Sequence, residues 1–185
     1  MKSDPNPIHE FCLKSERNLR IAAAVGDAWP EARDKLVAGF LDRLGSVLTK
    51  KLKGWKFEPW NRFFIDADAN WCVWKPAWED QYYVTLHCGN RGQQMIFGVM
   101  RAEQEIGKRS FCAELLAAVR KNHPSARSRY WWEAVTNMQS PASDWRKPEV
   151  LWRMHKDDEF LQEVAAQLLD VVKVSERIVD RLARK

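Results

Sequence analysis

The strongest constraint on the fold is a hairpin signal in residues 82–100. Residues 82–88 (YYVTLHC) alternate between the two sides of an extended chain, as in a half-buried strand, and residues 93–100 (QQMIFGVM) form a second apolar run. The GNRG segment between them holds two glycines, which tolerate positive φ in a turn. Because this connection is too short for a crossover helix, we expect the two strands to pair antiparallel.

Tryptophan-rich segments extend this hairpin into a larger sheet. Five of the ten tryptophans lie in residues 55–100. Residues 55–58 (WKFE) and 71–75 (WCVWK) alternate as strands, and Pro59 limits the first of them to an edge or ends it. Residues 129–135 (RYWWEAV) form one further strand in this interpretation. The sequence therefore predicts an antiparallel meander of four or five strands.

Apolar residues at helical spacing precede the sheet. Pro7 begins the first helix, with Asn6 as its cap, and Gly26 ends it. Pro30 begins a second helix that ends in a run of lysines before a glycine. The two helices are expected to form a helical hairpin over residues 1–53.

Three further helices are predicted in residues 101–185. Ser110 caps a middle helix that ends near Lys121. Pro148 begins a short helix, and a long amphipathic helix begins near Asp157. With the strand described above, this makes the last part of the chain mainly helical.

Together these elements predict a single α+β domain over residues 1–185. It would contain an antiparallel sheet of four or five strands, with two N-terminal helices, a middle helix and a long C-terminal helix packed on it, mainly on one face. Its parts are the helical hairpin (1–53), a Trp-rich antiparallel sheet (54–100) and a mainly helical part with one further strand (101–185). A chain of 185 residues is long enough to bury a core without disulfides.

The composition favours a cytoplasmic protein that does not bind membranes. No apolar run approaches the length of a membrane span, and the N-terminus lacks the apolar stretch of a signal peptide. Cys12, Cys72, Cys88 and Cys112 are widely spaced and include no C-x-x-C pair. This pattern favours reduced thiols over a disulfide framework.

The excess of positive charge falls in one stretch. The chain carries a net charge of +5, and residues 106–132 contain six basic side chains against one acidic side chain, Glu114. A basic excess next to aromatic rings is typical of surfaces that bind phosphates and stacked bases. The predicted nucleic-acid contacts are Lys108, Arg109, Arg120, Lys121, Arg127, Arg129, Trp131 and Trp132. The alternative is a solvated helix face followed by a polar loop.

Some of the tryptophans are candidates for contact with a partner. Most of the ten are expected in the core, since large aromatic side chains usually bury. Trp78, Trp132 and Trp145 lie next to predicted loops and are the candidates for exposure, although a position in the core is the favoured alternative for each of them. With Arg91 at the tip of the predicted turn, Trp78 and Trp145 form the predicted partner-binding set.

The chain lacks the sequence motifs of common catalytic sites. It contains no D-x-K or E-x-K triplet, no G-x-S-x-G elbow and neither of the glycine-rich phosphate-binding motifs. His9 and Cys12 have helical spacing, but a structural zinc site needs about four ligands. No catalytic residue, metal or cofactor is therefore predicted. A degenerate metal-dependent nuclease remains as a further hypothesis, with Asp66, Asp68 and Glu79 as its carboxylates.

A series of aromatic motifs follows the order of the predicted elements. They are GWKFE at 54–58, WCVWKPAW at 71–78, YYV at 82–84, IFGV at 96–99, YWW at 130–132 and W-x-x-PEVL at 145–151, before a closing amphipathic helix. This order resembles the C-terminal half of a bacterial and phage family classed in the PD-(D/E)XK nuclease superfamily, over residues 37–182. The family carries its catalytic carboxylates and E-x-K motif in an N-terminal nuclease core, which has no counterpart here. The resemblance therefore implies an accessory module, of phage or mobile-element origin, that binds rather than cuts.

The sequence leads to three functional hypotheses. The first is a non-enzymatic accessory binding module that engages nucleic acid or a nucleic-acid-handling protein. The second is a protein–protein module, such as a phage-borne inhibitor or a subunit of a phage-defence or counter-defence system. The third is the degenerate nuclease. A homo-oligomer is compatible with each of them.

Overall fold

A computed structural model describes residues 6–58, 68–79, 81–107, 110–140 and 142–184. Within these residues the chain forms five α-helices and a six-stranded antiparallel sheet, so the predicted α+β class is confirmed. In chain order the elements are α1 (Pro7–Leu13), α2 (Glu16–Lys51), β1 (Lys56–Glu58), β2 (Asp68–Trp74), β3 (Tyr82–Gly89), β4 (Gln94–Arg101), α3 (Ala113–Arg120), β5 (Arg127–Arg129), β6 (Trp132–Asn137), α4 (Pro148–Lys156) and α5 (Asp158–Leu182). The strand order across the sheet is β1-β2-β3-β4-β6-β5.

The contacts divide the chain into two compact units, where the sequence predicted one domain. The N-terminal unit is Met1–Lys35 and the C-terminal unit is Leu36–Lys185. The first holds α1 and the beginning of α2, and the second holds the rest of α2, the sheet and the remaining helices. Among the described residues of the N-terminal unit, none is buried.

The first N-terminal helix begins as predicted, but the second begins at Glu16 rather than at Pro30. Asn6 caps α1 by accepting a hydrogen bond from the Ile8 N–H at 2.9 Å, and Pro7 occupies the first turn. α2 is a single helix of 36 residues that contains both Gly26 and Pro30. The predicted helix end at Gly26, and the helical hairpin built on it, are therefore wrong.

The hydrogen bonding of the long helix α2 outweighs the local destabilisation by Gly26 and Pro30. Proline removes one backbone N–H, and glycine costs about 1 kcal/mol in a helix interior. Each further residue of a formed helix adds a hydrogen bond, so a long helix tolerates isolated breakers. Two ion pairs, each between residues one helical turn apart, also stabilise α2. Glu16–Arg20, at 2.7 Å, precedes Gly26, and Glu31–Lys35, at 2.6 Å, follows Pro30.

The predicted hairpin is confirmed, and the sheet has six strands rather than four or five. β3 pairs with β4 along its whole length, and Asn90 and Gly92 turn the chain with φ of 51° and 88°. The additional strand arises because residues 129–135 contain a turn at Tyr130 and Trp131, between β5 and β6. This segment holds neither glycine nor proline, so its sequence does not indicate a turn.

One face of the sheet, which we refer to as the core face, forms the main core with the helices. Val84 lies opposite Val99, and Leu86 lies opposite Phe97. All four side chains are buried in the main apolar cluster. α5 packs on β3 and β4, and α3 packs on β6. Burial of these apolar side chains stabilises the C-terminal unit by roughly 25 cal/mol for each Å² removed from water.

Trp78 and Trp145 belong to this core, so they follow the core alternative and are not the exposed tryptophans of the predicted partner-binding set. Both side chains are fully buried. The Trp145 ring centroid lies 5.5 Å from that of Phe40, and the Trp78 indole N–H donates to Asp180 Oδ1 at 2.7 Å. For Trp78, this partner inside the fold satisfies the polar edge of the indole, so proximity to a loop does not keep the ring at the surface.

A charged cluster fixes α5 to the segment that follows β2. The Lys75 ammonium lies 2.9 Å from Asp180 and 2.7 Å from Glu176. Burial opposes the charge of Lys75, but its hydrogen bonds to Glu176 and Asp180 prevail and raise its pKa. Burial also opposes the charge of Asp180, but hydrogen bonds from Lys75 and Trp78 lower the pKa of this carboxyl below its usual value. Folding therefore favours the charged forms of both groups.

Candidate functional site

The opposite face of the sheet, which we refer to as the second face, carries polar, aromatic and basic side chains in register. Residues directly opposite each other in antiparallel strands point to the same face. Three rows cross this face: Asn70–His87–Ile96–Asn137, then Cys72–Thr85–Gly98–Val135–Arg127, and Tyr83–Met100–Trp132–Arg129. The second face thus brings together residues from five of the six strands.

A small apolar cluster holds part of this face together. Ile96, Trp132 and Val135 pack with Met100 and are separate from the main core. Trp132 is consequently only 6% exposed, so this candidate for exposure is also buried. Its indole forms part of the surface that surrounds a cavity rather than projecting into solvent.

A cavity of about 600 Å³ opens on the second face. It is lined by Asn70, Tyr83, His87, Met100, Arg101, Ala102, Glu103, Trp131 and Trp132. Small-molecule sites in proteins typically have volumes of about 300–1,000 Å³ and combine aromatic walls with a few polar groups. The described part of the chain therefore provides a cavity large enough for a nucleoside.

One polar pair orients the imidazole of this cavity. The Nδ1 atom of His87 lies 2.7 Å from Oδ1 of Asn70. An amide oxygen only accepts hydrogen bonds, so Nδ1–H of His87 donates in this arrangement. The His87 ring also stands edge-to-face with Trp132, with centroids 6.0 Å apart. Asn70 and His87 therefore place hydrogen-bonding groups in an otherwise aromatic wall.

Arg101 connects the cavity to the turn between β5 and β6. Its guanidinium donates to the Tyr130 carbonyl at 2.9 Å, and its backbone N–H donates to the Trp131 carbonyl at 2.8 Å. The buried Glu133 carboxylate lies 3.9 Å from Arg101 Nε, and its other oxygen accepts the Cys112 N–H at 2.7 Å. Because this charge pair is buried and balanced internally, Arg101 holds the turn in place and does not present an unbalanced charge to a ligand.

The turn itself presents two aromatic rings. Tyr130 is 67% exposed and Trp131 is 42% exposed, with ring centroids 5.4 Å apart and planes nearly perpendicular. Trp131 also lines the cavity, so one indole belongs to both the turn and the cavity wall. Exposed rings of this size serve as stacking surfaces for bases and as anchors for protein partners.

Arg127 and Arg129 extend the second face beyond the cavity. Both are exposed on the edge strand β5. The register places Arg127 opposite Val135 and Arg129 opposite Trp132. At the rise of an extended strand, the two arginines lie about 6–7 Å apart. The structure therefore brings these two predicted contacts onto one surface with the predicted stacking residues.

The remaining predicted nucleic-acid contacts do not join this surface. Arg120 and Lys121 are exposed at the C-terminal end of α3, where the Arg120 Nε–H donates to the Ala126 carbonyl at 2.8 Å. Neither of these two described residues lines the cavity. Lys108 and Arg109 lie outside the described residues.

Of the three carboxylates proposed for a degenerate nuclease, only that of Glu79 lies in the described part of the chain. Asp66 and the side chain of Asp68 lie outside the described part of the chain, as does the side chain of Arg91. Glu79 pairs with Lys56 at 2.8 Å. Where the structure is described, no group of three His, Cys, Asp or Glu side chains is placed to hold a metal ion.

Sequence reasoning did not identify Asn70, Tyr83, His87 and Met100 as site residues. The available signal was the alternation in β3, which directs Tyr83 and His87 away from the core. The alternation alone does not identify the site, because the register between strands brings Asn70 and Trp132 next to Tyr83 and His87. Register depends on how distant segments pair, so it cannot be inferred from the sequence of a single strand.

Comparisons with known proteins do not identify a function, so the functional argument is based on the site. Comparison of the chain with protein-family models, with curated proteins and with solved structures finds no match. Of the helices in the described residues, none combines the length and apolar character needed to cross a membrane.

Proposed function

We propose that this protein is a non-enzymatic accessory module that binds single-stranded nucleic acid through the second face of its sheet. The observation that supports the proposal is the alignment of an aromatic cavity with two exposed arginines, Arg127 and Arg129, in the same rows of side chains. Single-stranded nucleic acids are bound by cations that contact phosphates and by rings that stack on bases. The second face offers both kinds of group side by side.

Arg127 and Arg129 supply the phosphate contacts in this proposal. A guanidinium presents a planar set of N–H donors that matches the oxygens of a phosphate. The spacing of about 6–7 Å along β5 allows the two arginines to bind different phosphates of one strand. Since Arg129 lies opposite Trp132, a strand bound along β5 passes next to the cavity.

The cavity suits a neutral base better than a phosphate. The charge of Arg101 is balanced by Glu133, and the exposed carboxylate of Glu103 also lines the cavity. A phosphate in the cavity would be repelled by Glu103, whereas a planar base would contact the Trp131 ring. Base–aromatic stacking contributes about 1–3 kcal/mol for each base.

The shape of this site favours single strands over duplexes. A base enters the cavity only when it is unpaired and unstacked, which single strands and loops permit and a duplex opposes. Asn70 and His87, in the cavity wall, are placed to hydrogen-bond the edge of such a base. We therefore expect higher affinity for single-stranded than for double-stranded probes.

A binding titration at low and at moderate salt tests the proposal. The probes are labelled single- and double-stranded DNA and RNA of about 20 nucleotides, longer than the site size of a small binding module. The R127E/R129E variant is expected to lose at least about tenfold in affinity and to reduce the slope of log K against log salt by about two. The control K50E/K51E makes the same change in charge on two exposed residues of α2 and should lose much less.

The titration includes Mg²⁺ so that cleavage of the probe is detected. Equal single-strand affinity of the wild type and R127E/R129E would contradict the proposal. Cleavage that depends on Mg²⁺ would favour the degenerate nuclease instead. Binding that depends on salt, without cleavage, is the expected outcome.

The accessory role depends on the resemblance of residues 37–182 to the C-terminal half of a nuclease family. That resemblance covers no catalytic motif, which is consistent with a module that binds for another protein. Co-purification with a protein that carries a nuclease core is the expected outcome of a tagged pull-down from the native host. A pull-down that recovers nucleic acid alone would favour independent binding.

A protein partner is the second candidate function, and a different region favours it. The N-terminal unit exposes a series of large apolar side chains between Ile8 and Trp29. Uncovered apolar surface of this kind is typical of protein–protein interfaces. Binding through it would depend little on salt, in contrast to binding through Arg127 and Arg129.

A further inference from the structure

The cavity of the second face contains a carboxylate whose charge is not balanced by a neighbour. Glu103 is exposed and lines the cavity. The nearby carboxylate of Glu133 is buried and paired with Arg101, whereas no cation among the described residues forms an ion pair with Glu103. A carboxylate only accepts hydrogen bonds, so Glu103 offers two acceptor oxygens to a ligand of the cavity.

Backbone hydrogen bonds on both sides hold Glu103 at the cavity. Glu103 begins a single 3₁₀ turn, Glu103–Glu105, after Ala102 at the end of β4. The Ala102 N–H donates to the Gln81 carbonyl at 2.8 Å, and the Glu103 carbonyl accepts the Ile106 N–H at 3.1 Å. Because the backbone is fixed in this way, the carboxylate moves relative to the cavity only by rotation of its own side chain.

The same cavity contains a hydrogen-bond donor and an aromatic wall. Oδ1 of Asn70 accepts from Nδ1 of His87 at 2.7 Å, so the N–H2 group of this amide is the part that can donate to a ligand. No acceptor in the described part of the chain binds that N–H2 group. With the indoles of Trp131 and Trp132, the cavity combines an anionic acceptor, a neutral donor and rings that can stack on a base.

The pattern of donors and acceptors on a base decides which base fits a carboxylate. Guanine presents two adjacent donors on its Watson–Crick edge, N1–H and N2–H2, and a carboxylate can accept both of them at once. Adenine and cytosine present a ring-nitrogen acceptor beside their amino group, and thymine and uracil present a carbonyl on each side of N3–H. A carboxylate repels each of these acceptors, so guanine is the base that its two oxygens match.

We propose that the cavity selects guanine among the bases of a bound single strand. Glu103 accepts the N1–H and N2–H of the base, Asn70 donates to O6 or N7, and Trp131 stacks on its face. This inference rests on the proposed function, because the strand that delivers the base is held by Arg127 and Arg129. A bidentate contact of this kind discriminates between bases by at least about fivefold.

Short single strands that differ at one base test this selection. The probes are labelled oligothymidylates of about eight nucleotides, a length within the site size of small binding modules, with one central base varied. By fluorescence anisotropy, the wild type is expected to bind the guanine probe at least about fivefold more tightly than the adenine, cytosine and thymine probes. A hypoxanthine probe, which keeps N1–H but lacks the 2-amino group, should fall between guanine and adenine.

Glu103→Gln separates hydrogen-bond selection from a general effect of charge. A carboxamide offers one acceptor and one donor, a pattern that matches adenine and cytosine rather than guanine. The variant should therefore bind the adenine probe more tightly than the guanine probe, which reverses the preference of the wild type. A merely electrostatic or structural role of Glu103 would change the affinity for all probes together and leave their ratio unchanged.

Glu149→Gln is the matched control for the lost charge. Glu149 is exposed in the first turn of α4 and does not line the cavity. This variant should keep the preference of the wild type for the guanine probe. Far-ultraviolet circular dichroism checks that both glutamine variants keep the helix content of the wild type.

The absolute affinity and the ratio between probes report on different claims. R127E/R129E is expected to lower the affinity for every probe while it keeps the ratio of guanine to adenine. Equal affinities of the wild type for the guanine and adenine probes would overturn the selection of guanine and leave the proposed strand binding intact. A Glu103→Gln variant with the wild-type preference would also overturn it. A wild type that binds none of the probes would contradict both proposals.

Discussion

The core face and the second face are built from alternate residues of the same strands. In β3 and β4, Val84 and Phe97 point to the core face, while Tyr83 and His87 point to the second face. Apolar burial accounts for the residues of the core face, because each removes hydrocarbon surface from water. It does not account for a second face with a cavity, a paired imidazole and two exposed arginines. The difference indicates that stability depends mainly on the core face, and we assign the proposed binding function to the second face.

The largest effect on stability is expected on the core face. Phe97 is buried on β4, with its ring centroid 5.2 Å from that of His123. Phe97→Ala removes a buried ring and leaves a cavity, so we expect a loss of about 3–5 kcal/mol in the free energy of unfolding. Urea denaturation measures this loss. A change below about 1 kcal/mol would show that this face does not carry the stability.

The next largest effect is expected at Gly98, a second-face position where β4 approaches β6. A Cβ atom on Gly98 would lie 2.0 Å from the Ala134 carbonyl oxygen, so the two strands would have to separate. We expect Gly98→Ala to destabilise the fold by about 2–3 kcal/mol in urea denaturation. The control Gly39→Ala, in α2 with no atom within 4 Å, should stabilise it by up to about 1 kcal/mol. Equal effects of the two substitutions would exclude the steric explanation.

A smaller effect, on binding rather than on stability, is expected at Trp131. Because this side chain is partly exposed at a turn, Trp131→Ala should change the free energy of unfolding by less than about 0.5 kcal/mol. Single-strand affinity should fall by about 1–3 kcal/mol, as measured by fluorescence anisotropy. The control Trp152→Ala, on an exposed side of α4, should change neither quantity. A Trp131 variant as unstable as the Phe97 variant would remove the distinction between the two faces.

The smallest effect concerns the contact that fixes α5 over the core face. Although burial favours its protonated form, hydrogen bonds from Lys75 and Trp78 hold the folded-state pKa of Asp180 below its usual 3.8. Its contribution to stability is therefore present above that pH and is lost as the pH falls through the folded-state pKa. Asp180→Asn keeps an acceptor for the Trp78 N–H but removes the charge. We expect a loss of about 1 kcal/mol at neutral pH.

Urea denaturation at neutral and at acidic pH tests this contribution. The wild type should lose more stability than Asp180→Asn as the pH falls below the usual carboxyl pKa of 3.8. A difference between the two proteins that stays the same at both pH values would mean that the charge of Asp180 does not contribute.

Local signals in the sequence were sufficient for most elements of the fold. The hairpin of β3 and β4 follows from alternation on either side of a glycine-containing turn. α4 begins at Pro148 and α5 begins next to Asp157, both as predicted. Asp157 caps α5 by accepting the Phe160 N–H at 3.1 Å. These features depend on neighbouring residues, so a short window of sequence contains the necessary information.

The wrong predictions came from giving local signals too much weight. Gly26 and Pro30 are breakers in isolation, but they lie inside a helix whose hydrogen bonding continues on both sides. Nearby loops make Trp78 and Trp145 candidates for the surface, but both are buried by contacts with distant helices. Contacts between distant segments decide such cases.

The candidate site was only partly predictable for the same reason. Arg127, Arg129, Trp131 and Trp132 were identified because charge and aromatic character cluster within one short stretch. The opposite wall of the cavity comes from β2 and β3, and the pairing of strands brings it near. A one-residue change of register would direct those wall residues to the core face instead.

The short length of β5 bears on how the protein behaves at high concentration. β5 is the last strand of the sheet, with three residues of which two are arginines. An edge strand leaves unpaired backbone groups that attract the edge of another molecule, which is the first step of strand-mediated aggregation. Three residues provide few such groups, and two positive charges repel a second β5. The arginines that we assign to phosphate binding therefore also disfavour fibril-like growth from this edge.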